Sequence, residues 1–272
     1  MAVRERIIRF GENGRLVGML ATPGGSFAST AVLFFNAGIV HRVGAHRFNV
    51  KLARLLAARG APSMRFDLSG LGDSAAAPPG QGFEAQAIAD IRAAIDAFAA
   101  ALARPARFAA IGMCSGADNA WRAALADERL AALVLLDPYA YENRRAKLQR
   151  MAAKAADPER WGRALGRLGR QDSLGQRPEE ADASRPFPAR AEFGAGLQSL
   201  TRRGVDMLIL YTRFVEEQLA RPEHFFDTFR DFDFNGRIEV GVDRGVDHTY
   251  TELSAQKAVF GRIADWLLGP RS

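Results

Sequence analysis

The chain has 272 residues, 48% of them hydrophobic and 18 of them Phe, enough for one large domain or one domain with an insertion. A single cysteine excludes a disulfide framework and any cysteine-rich metal site, and it fits a reducing, cytoplasmic setting. The formal charge is +6, but the basic residues are dispersed, which argues against a nucleic-acid partner and leaves a field that suits acidic substrates.

Residues 1–10 carry three arginines and no long apolar run, so neither a signal peptide nor a membrane span is expected. Residues 4–10 and 15–21 read as two strands joined at Glu12-Asn13-Gly14, a hairpin signal. Residues 31–35 read as a short buried strand. The loop behind it runs from Asn36 to Gly44, and its small residues let the backbone approach a substrate. Residues 47–59 read as a helix ended by Gly60, and Pro62 leads into a strand at 63–66 that stops at Asp67. Glycines at 70 and 72 make 67–74 a tight loop in which Asp67 and Ser74 can satisfy backbone donors. It is not a P-loop, because no Gly-Lys-Ser/Thr follows. Residues 83–102 read as a long Ala-rich helix.

The strand at 108–113 runs into Gly112-Met113-Cys114-Ser115-Gly116, and a helical stretch follows at 117–130. Strand, sharp turn and helix, with a small residue two positions either side of the nucleophile, make a nucleophile elbow. The nucleophile slot falls on Cys114. If Ser115 were the nucleophile, Met113 would occupy a position that must be small.

A strand at 132–136 then ends in Asp137-Pro138. From 139 to 204 the strand pattern stops, and Arg-, Ala- and Gly-rich pieces replace it. Residues 147–156 and 161–168 look helical, and 171–188 reads as a loop. A segment of this length is too long for a simple connection. Strands at 205–211 and 237–242 follow, with helix-compatible sequence from Val215 and a closing helix at 252–268. The expected fold is α/β, an eight-stranded, mostly parallel sheet with an antiparallel start. Its core comprises 1–138 and 205–272, and 139–204 is a helical cap above the carboxyl edge, where such sheets bind ligands.

A thiol nucleophile needs a base, and a helix N-terminus favours its negative charge. Of four histidines, only His248 lies just after the last strand and before the closing helix. The acid that fixes the imidazole tautomer has two candidates: Glu216, after the strand at 205–211, and Asp137, at the end of the preceding strand. For the oxyanion hole, the backbone N–H of Ser115 and that of Gly38 are the expected donors. Asn36, His41 and Arg42 line or brace the same loop as substrate-binding candidates. No cluster has metal-ligand spacing, so neither a metal nor a cofactor is expected.

Together, the elbow at 112–116, the loop at 36–44, the turn from Asp67 to Ser74 and the Asp247-His248 loop resemble the α/β-hydrolase superfamily over nearly the whole chain. The stretches Asn36-Ala-Gly…His41-Arg42-Val-Gly and Arg65-Phe-Asp-Leu-Ser-Gly-Leu-Gly-Asp-Ser74 also look like hydrolases found with bacterial exopolysaccharide and exosortase systems. Cys114 departs from the serine of most esterases and is similar to the cysteine of dienelactone hydrolases and polyhydroxyalkanoate synthases. The expected function is hydrolysis of a small-molecule ester, lactone or thioester through a Cys114 thioester. Acyl transfer from the same intermediate is the alternative, and a non-catalytic binding protein on this fold is a further one. No pattern in the sequence sets an oligomeric state.

Overall fold

A computed structural model of the chain describes residues 2–25, 28–102, 107–141, 187–216 and 218–269. Its strands are β1 (Val3–Phe10), β2 (Leu16–Pro23), β3 (Thr30–Phe34), β4 (Ser63–Phe66), β5 (Arg107–Met113), β6 (Leu130–Leu136), β7 (Asp206–Thr212) and β8 (Ile238–Asp243). The α-helices are α1 (Phe48–Ala58), α2 (Phe83–Leu102), α3 (Ser115–Ala126), α4 (Arg190–Arg202), α5 (Pro222–Thr228) and α6 (Leu253–Leu268).

The eight strands form one sheet in the order β1-β2-β4-β3-β5-β6-β7-β8. Strand β2 pairs antiparallel with both β1 and β4, and every later pairing is parallel. The expected fold class, antiparallel start included, is the one observed.

Side chains of the central strands alternate between two apolar layers, because successive residues of a strand point to opposite faces. Leu33, Ala110, Leu133, Leu135 and Ile209 pack on one face with Ile91, Ile95 and Phe98 of α2, Trp121 of α3 and Phe193 and Leu197 of α4. Val32, Phe34, Ile111, Val134, Leu136 and Leu208 pack on the other with Phe48, Leu52 and Leu56 of α1 and Phe260, Ile263 and Leu267 of α6. Burying each large side chain contributes about 1.5–3 kcal/mol, which is why strands buried on both faces read as near-continuous apolar runs.

Helix α1 carries the chain from β3 to β4 on one face, and α2 carries it from β4 to β5 on the other. Strands β3 and β5 are neighbours, and β3 leads into α1 on one face while β5 leads into α3 on the other, so the loops leaving their carboxyl ends part to opposite sides. In open α/β sheets, ligands bind at this kind of switch point.

Three expectations shift locally. The helix expected over 117–130 ends at Ala126. Asp127 is extended and its carboxylate accepts from the Arg129 N–H at 3.0 Å, so the chain turns and Leu130 already belongs to β6. In place of a helix running on from Val215, a short 3-10 turn spans Arg213–Val215, and α5 starts where Pro222 takes the first helical position. The expected cap at 139–204 falls mostly on 142–186, outside the described residues, as do the helical pieces at 147–156 and 161–168. Its last part is α4, which packs against α3 and buries Phe193, Leu197 and Leu200 in the core layer. Among the described residues, no helix is long and apolar enough to cross a membrane.

Candidate active site

Cys114 stands between β5 and α3 with φ 54° and ψ −126°. A residue with a side chain rarely adopts such a backbone, and holding it there costs on the order of 1–3 kcal/mol. The neighbours enforce it. A Cβ on Gly112 would lie 2.2 Å from the Gly116 carbonyl oxygen, and one on Gly116 would lie 2.7 Å from that of Asn36. The Cys114 N–H donates to Leu136 O at 2.8 Å, and its carbonyl accepts from Ala117 N at 2.8 Å. The side chain is partly exposed at the start of α3, whose positive end favours a sulfur anion.

His248 lies in the loop between β8 and α6. Asp247 shapes that loop by accepting from Thr249 N at 2.9 Å and from Thr251 N at 3.2 Å. The His248 ring is hydrogen-bonded to the Cys114 side chain, and its Nδ1 lies 2.7 Å from Asp137 Oδ2. Burial lowers the imidazole pKa, but the bonds to Asp137 and Cys114 outweigh it and raise the pKa from 6.5 to about 9. The exposed ring of Phe214 stacks on the imidazole with centroids 4.2 Å apart and planes 29° apart.

Of the two candidate acids, Asp137 reaches the histidine. Its carboxylate is fully buried and accepts from Thr212 N and Thr212 Oγ1, both at 2.7 Å, as well as from the imidazole. Glu216 instead pairs with Arg244, whose Nε lies 2.8 Å away on the exposed surface. Strands β6 and β7 run parallel with Leu136 opposite Leu210, so residues just past their ends meet. Thr212 therefore occupies the slot where the sequence led one to look for an acid, and it holds the aspartate at the end of the preceding strand, β6. Sequence reasoning missed this role of Thr212 and the stacking of Phe214. The available signal was a hydroxyl residue ending β7 beside an aspartate ending β6.

The expected oxyanion donors are at the elbow, but one is already engaged. The Gly38 N–H donates to Ser115 Oγ at 2.7 Å. The Ser115 N–H lies in the first turn of α3, where helix N–H groups lack intrahelical acceptors.

Asn36 and Arg42, taken as lining or bracing candidates, turn into the protein. Asn36 is buried; its Nδ2 donates to Val40 O and Asp67 Oδ1, each at 2.8 Å, and its Oδ1 accepts from Leu68 N at 2.7 Å. The Arg42 N–H donates to Asp67 Oδ1 at 2.7 Å, and its guanidinium pairs with both Asp67 and Asp73. These polar atoms brace the loop that carries Gly38. His41 is half-exposed and lies 3.4 Å from Asp73 Oδ2.

One atom each from His41, Asp67 and Asp73 lies within 4.8 Å of the others, close enough for a cation. Arg42 Nη1 already stands among them, 2.8 Å from His41 Nε2 and 2.7 Å from Asp73 Oδ2, so a guanidinium fills that role. Lowering the Asp73 pKa are its hydrogen bonds to Arg42, first, and to His41.

The sheet order, the two-sided helical layers and the elbow after β5 define the α/β-hydrolase fold. An esterase of Pyrococcus furiosus superposes with a TM-score of 0.63 at 16% identity, covering 97% of this chain and 90% of its own. An alpha-beta serine hydrolase homologue of Coxiella burnetii gives 0.58 at 14% identity, covering 97% of each chain. Mouse alpha/beta hydrolase domain-containing protein 10 gives 0.58 at 15%, covering 96% of this chain and 98% of its own. At such identities the likeness is one of fold. No protein-family model and no curated protein sequence matches the chain.

Proposed function

We propose that the protein is an acyl hydrolase acting on esters, lactones or thioesters through a covalent Cys114 thioester. One observation carries this reading: the single cysteine is in a strained turn at a helix start, bonded to a histidine whose other side is held by a buried carboxylate. A nucleophile, its base and the group that orients the base are thus in one line.

His248 takes the Cys114 proton, and the sulfur attacks the substrate carbonyl carbon. The carbonyl oxygen becomes an oxyanion held by donors at the elbow. As the tetrahedral intermediate collapses, its bond to the leaving alcohol or thiol breaks and the imidazolium returns the proton to that group. Water then gives a proton to His248 and attacks the thioester, releasing the acid and the cysteine. Asp137 steadies the imidazolium at each stage and keeps its Nδ1 proton turned inward.

The test is intact-protein mass after brief exposure to activated esters and acyl-thioesters. The native chain is expected to gain a transient acyl mass that Cys114→Ala lacks. An adduct of equal size on the variant, or no adduct and no turnover with any donor, rejects the reading.

A further inference from the structure

We infer that the Ser115 side chain is itself an oxyanion donor, relaying the Gly38 N–H to the reacting oxygen. The inference rests on the acyl-enzyme reading above and assigns a further catalytic residue within that site.

The Gly38 N–H points at Ser115 Oγ from 2.7 Å, and the bond lies on the exposed side of the elbow. Gly38 cannot easily turn away. It has φ 54° in a turn closed by Val40 N to Ala37 O at 3.0 Å. That turn is pinned by Asn36 Nδ2 on Val40 O and by Asn36 and Arg42 on buried Asp67. Its N–H is therefore aimed at the hydroxyl before any substrate arrives.

A hydroxyl accepts with its lone pairs and donates one proton. Ser115 Oγ uses an acceptor position on Gly38 and keeps its own proton for another acceptor. Accepting a bond polarises the O–H and strengthens what it donates. Ser115 directly follows the nucleophile, so its backbone N–H and its hydroxyl stand beside the place where the oxyanion forms when sulfur attacks the carbonyl carbon. The hole then consists of Ser115 N–H and Ser115 O–H, with Gly38 behind the hydroxyl. Serine is among the side chains that can serve such a hole, because the donor must be fixed before charge develops.

The experiment compares native chain, Ser115→Ala and Ser115→Thr in three measurements. They are the rate of acyl-enzyme formation from an activated ester, the rate from the matching thionoester, and alkylation of Cys114 by iodoacetamide. Alkylation builds no oxyanion, so it reports only on the thiol and His248. Ser115→Ala is expected to slow acylation by about 100-fold or more while alkylation keeps its rate and pH dependence. The ester-to-thionoester rate ratio should fall with it, since sulfur accepts hydrogen bonds weakly. Ser115→Thr should retain most of the native rate. Acylation of Ser115→Ala at the native rate or faster would make the hydroxyl a plug or a bystander and overturn the inference. A matching fall in alkylation would make Ser115 a structural brace and overturn it as well. If the native chain itself forms no acyl-enzyme, the thioester reading falls, and this inference falls with it. If only the variant results fail, the thioester reading stands.

Discussion

Thr212 grips both carboxylate oxygens of Asp137, its N–H on Oδ1 and its Oγ1 on Oδ2, each at 2.7 Å. Both side chains are buried. The carboxylate thus has three donors, Thr212 twice and His248 once, which offset the cost of burying its charge. The carboxylate comes from the end of β6 and its holder from the end of β7.

Thr212→Val keeps the volume and removes one charge-assisted bond. It should destabilise the protein by about 1.5–3 kcal/mol, read from urea unfolding. Because the two strand ends meet, the exchange Asp137→Asn with Thr212→Asp should recover part of the activity lost by Asp137→Asn alone. Recovery indistinguishable from zero would mean that a carboxylate on β7 cannot reach His248.

Glu216 and Asp137 should separate cleanly in kinetics. Asp137→Asn is expected to lower kcat/KM with an acyl donor by orders of magnitude, because the imidazole loses its oriented partner. Glu216→Gln breaks an exposed pair worth about 0–1 kcal/mol and should leave kcat/KM within about two-fold of native. The opposite ranking would return the orienting role to Glu216.

The folded pKa of His248 is raised to about 9 from 6.5. A raised folded pKa means that the folded state binds the proton more tightly. Its contribution to stability is complete below about pH 6.5 and is lost as the pH climbs through 9. The unfolding midpoint of native protein should fall over that window. With Asp137→Asn the window should narrow, and an imidazole titration followed by NMR should move down from about 9. A midpoint that rises from pH 6.5 to 9 would mean that folding favours the neutral imidazole instead.

Cys114→Gly should be more stable than Cys114→Ala, against the usual ranking of the two residues. At φ 54° and ψ −126° a Cβ is strained and glycine is not. The difference should be about 1 kcal/mol, measured by chemical denaturation of the two variants. Equal stabilities would mean that the elbow stores no strain at this residue.

The strands were legible because apolar side chains fill both faces of the sheet and leave uninterrupted runs such as Leu133 to Leu136. The elbow was legible because Gly112 and Gly116 have no room for a Cβ, a local demand that leaves a local mark. The acid was not, since choosing between Asp137 and Glu216 depends on how β6 and β7 align. The bracing by Asn36 and Arg42 was hidden for the same reason: both converge on Asp67, well downstream in the chain. The bond from Gly38 to Ser115 joins residues 77 positions apart, and nothing in either loop's composition announces it.

The hydrogen bond from Cys114 N to Leu136 O has a mechanical meaning. Leu136 immediately precedes Asp137, so sulfur and carboxylate ride on one rigid plate of two paired strands. His248 alone arrives from outside that pair, on the loop between β8 and α6. Disassembling this machine requires no melting of the plate. Detaching that loop is enough to part the imidazole from both, and an activity that needs all three groups should then be lost on heating ahead of collapse of the sheet.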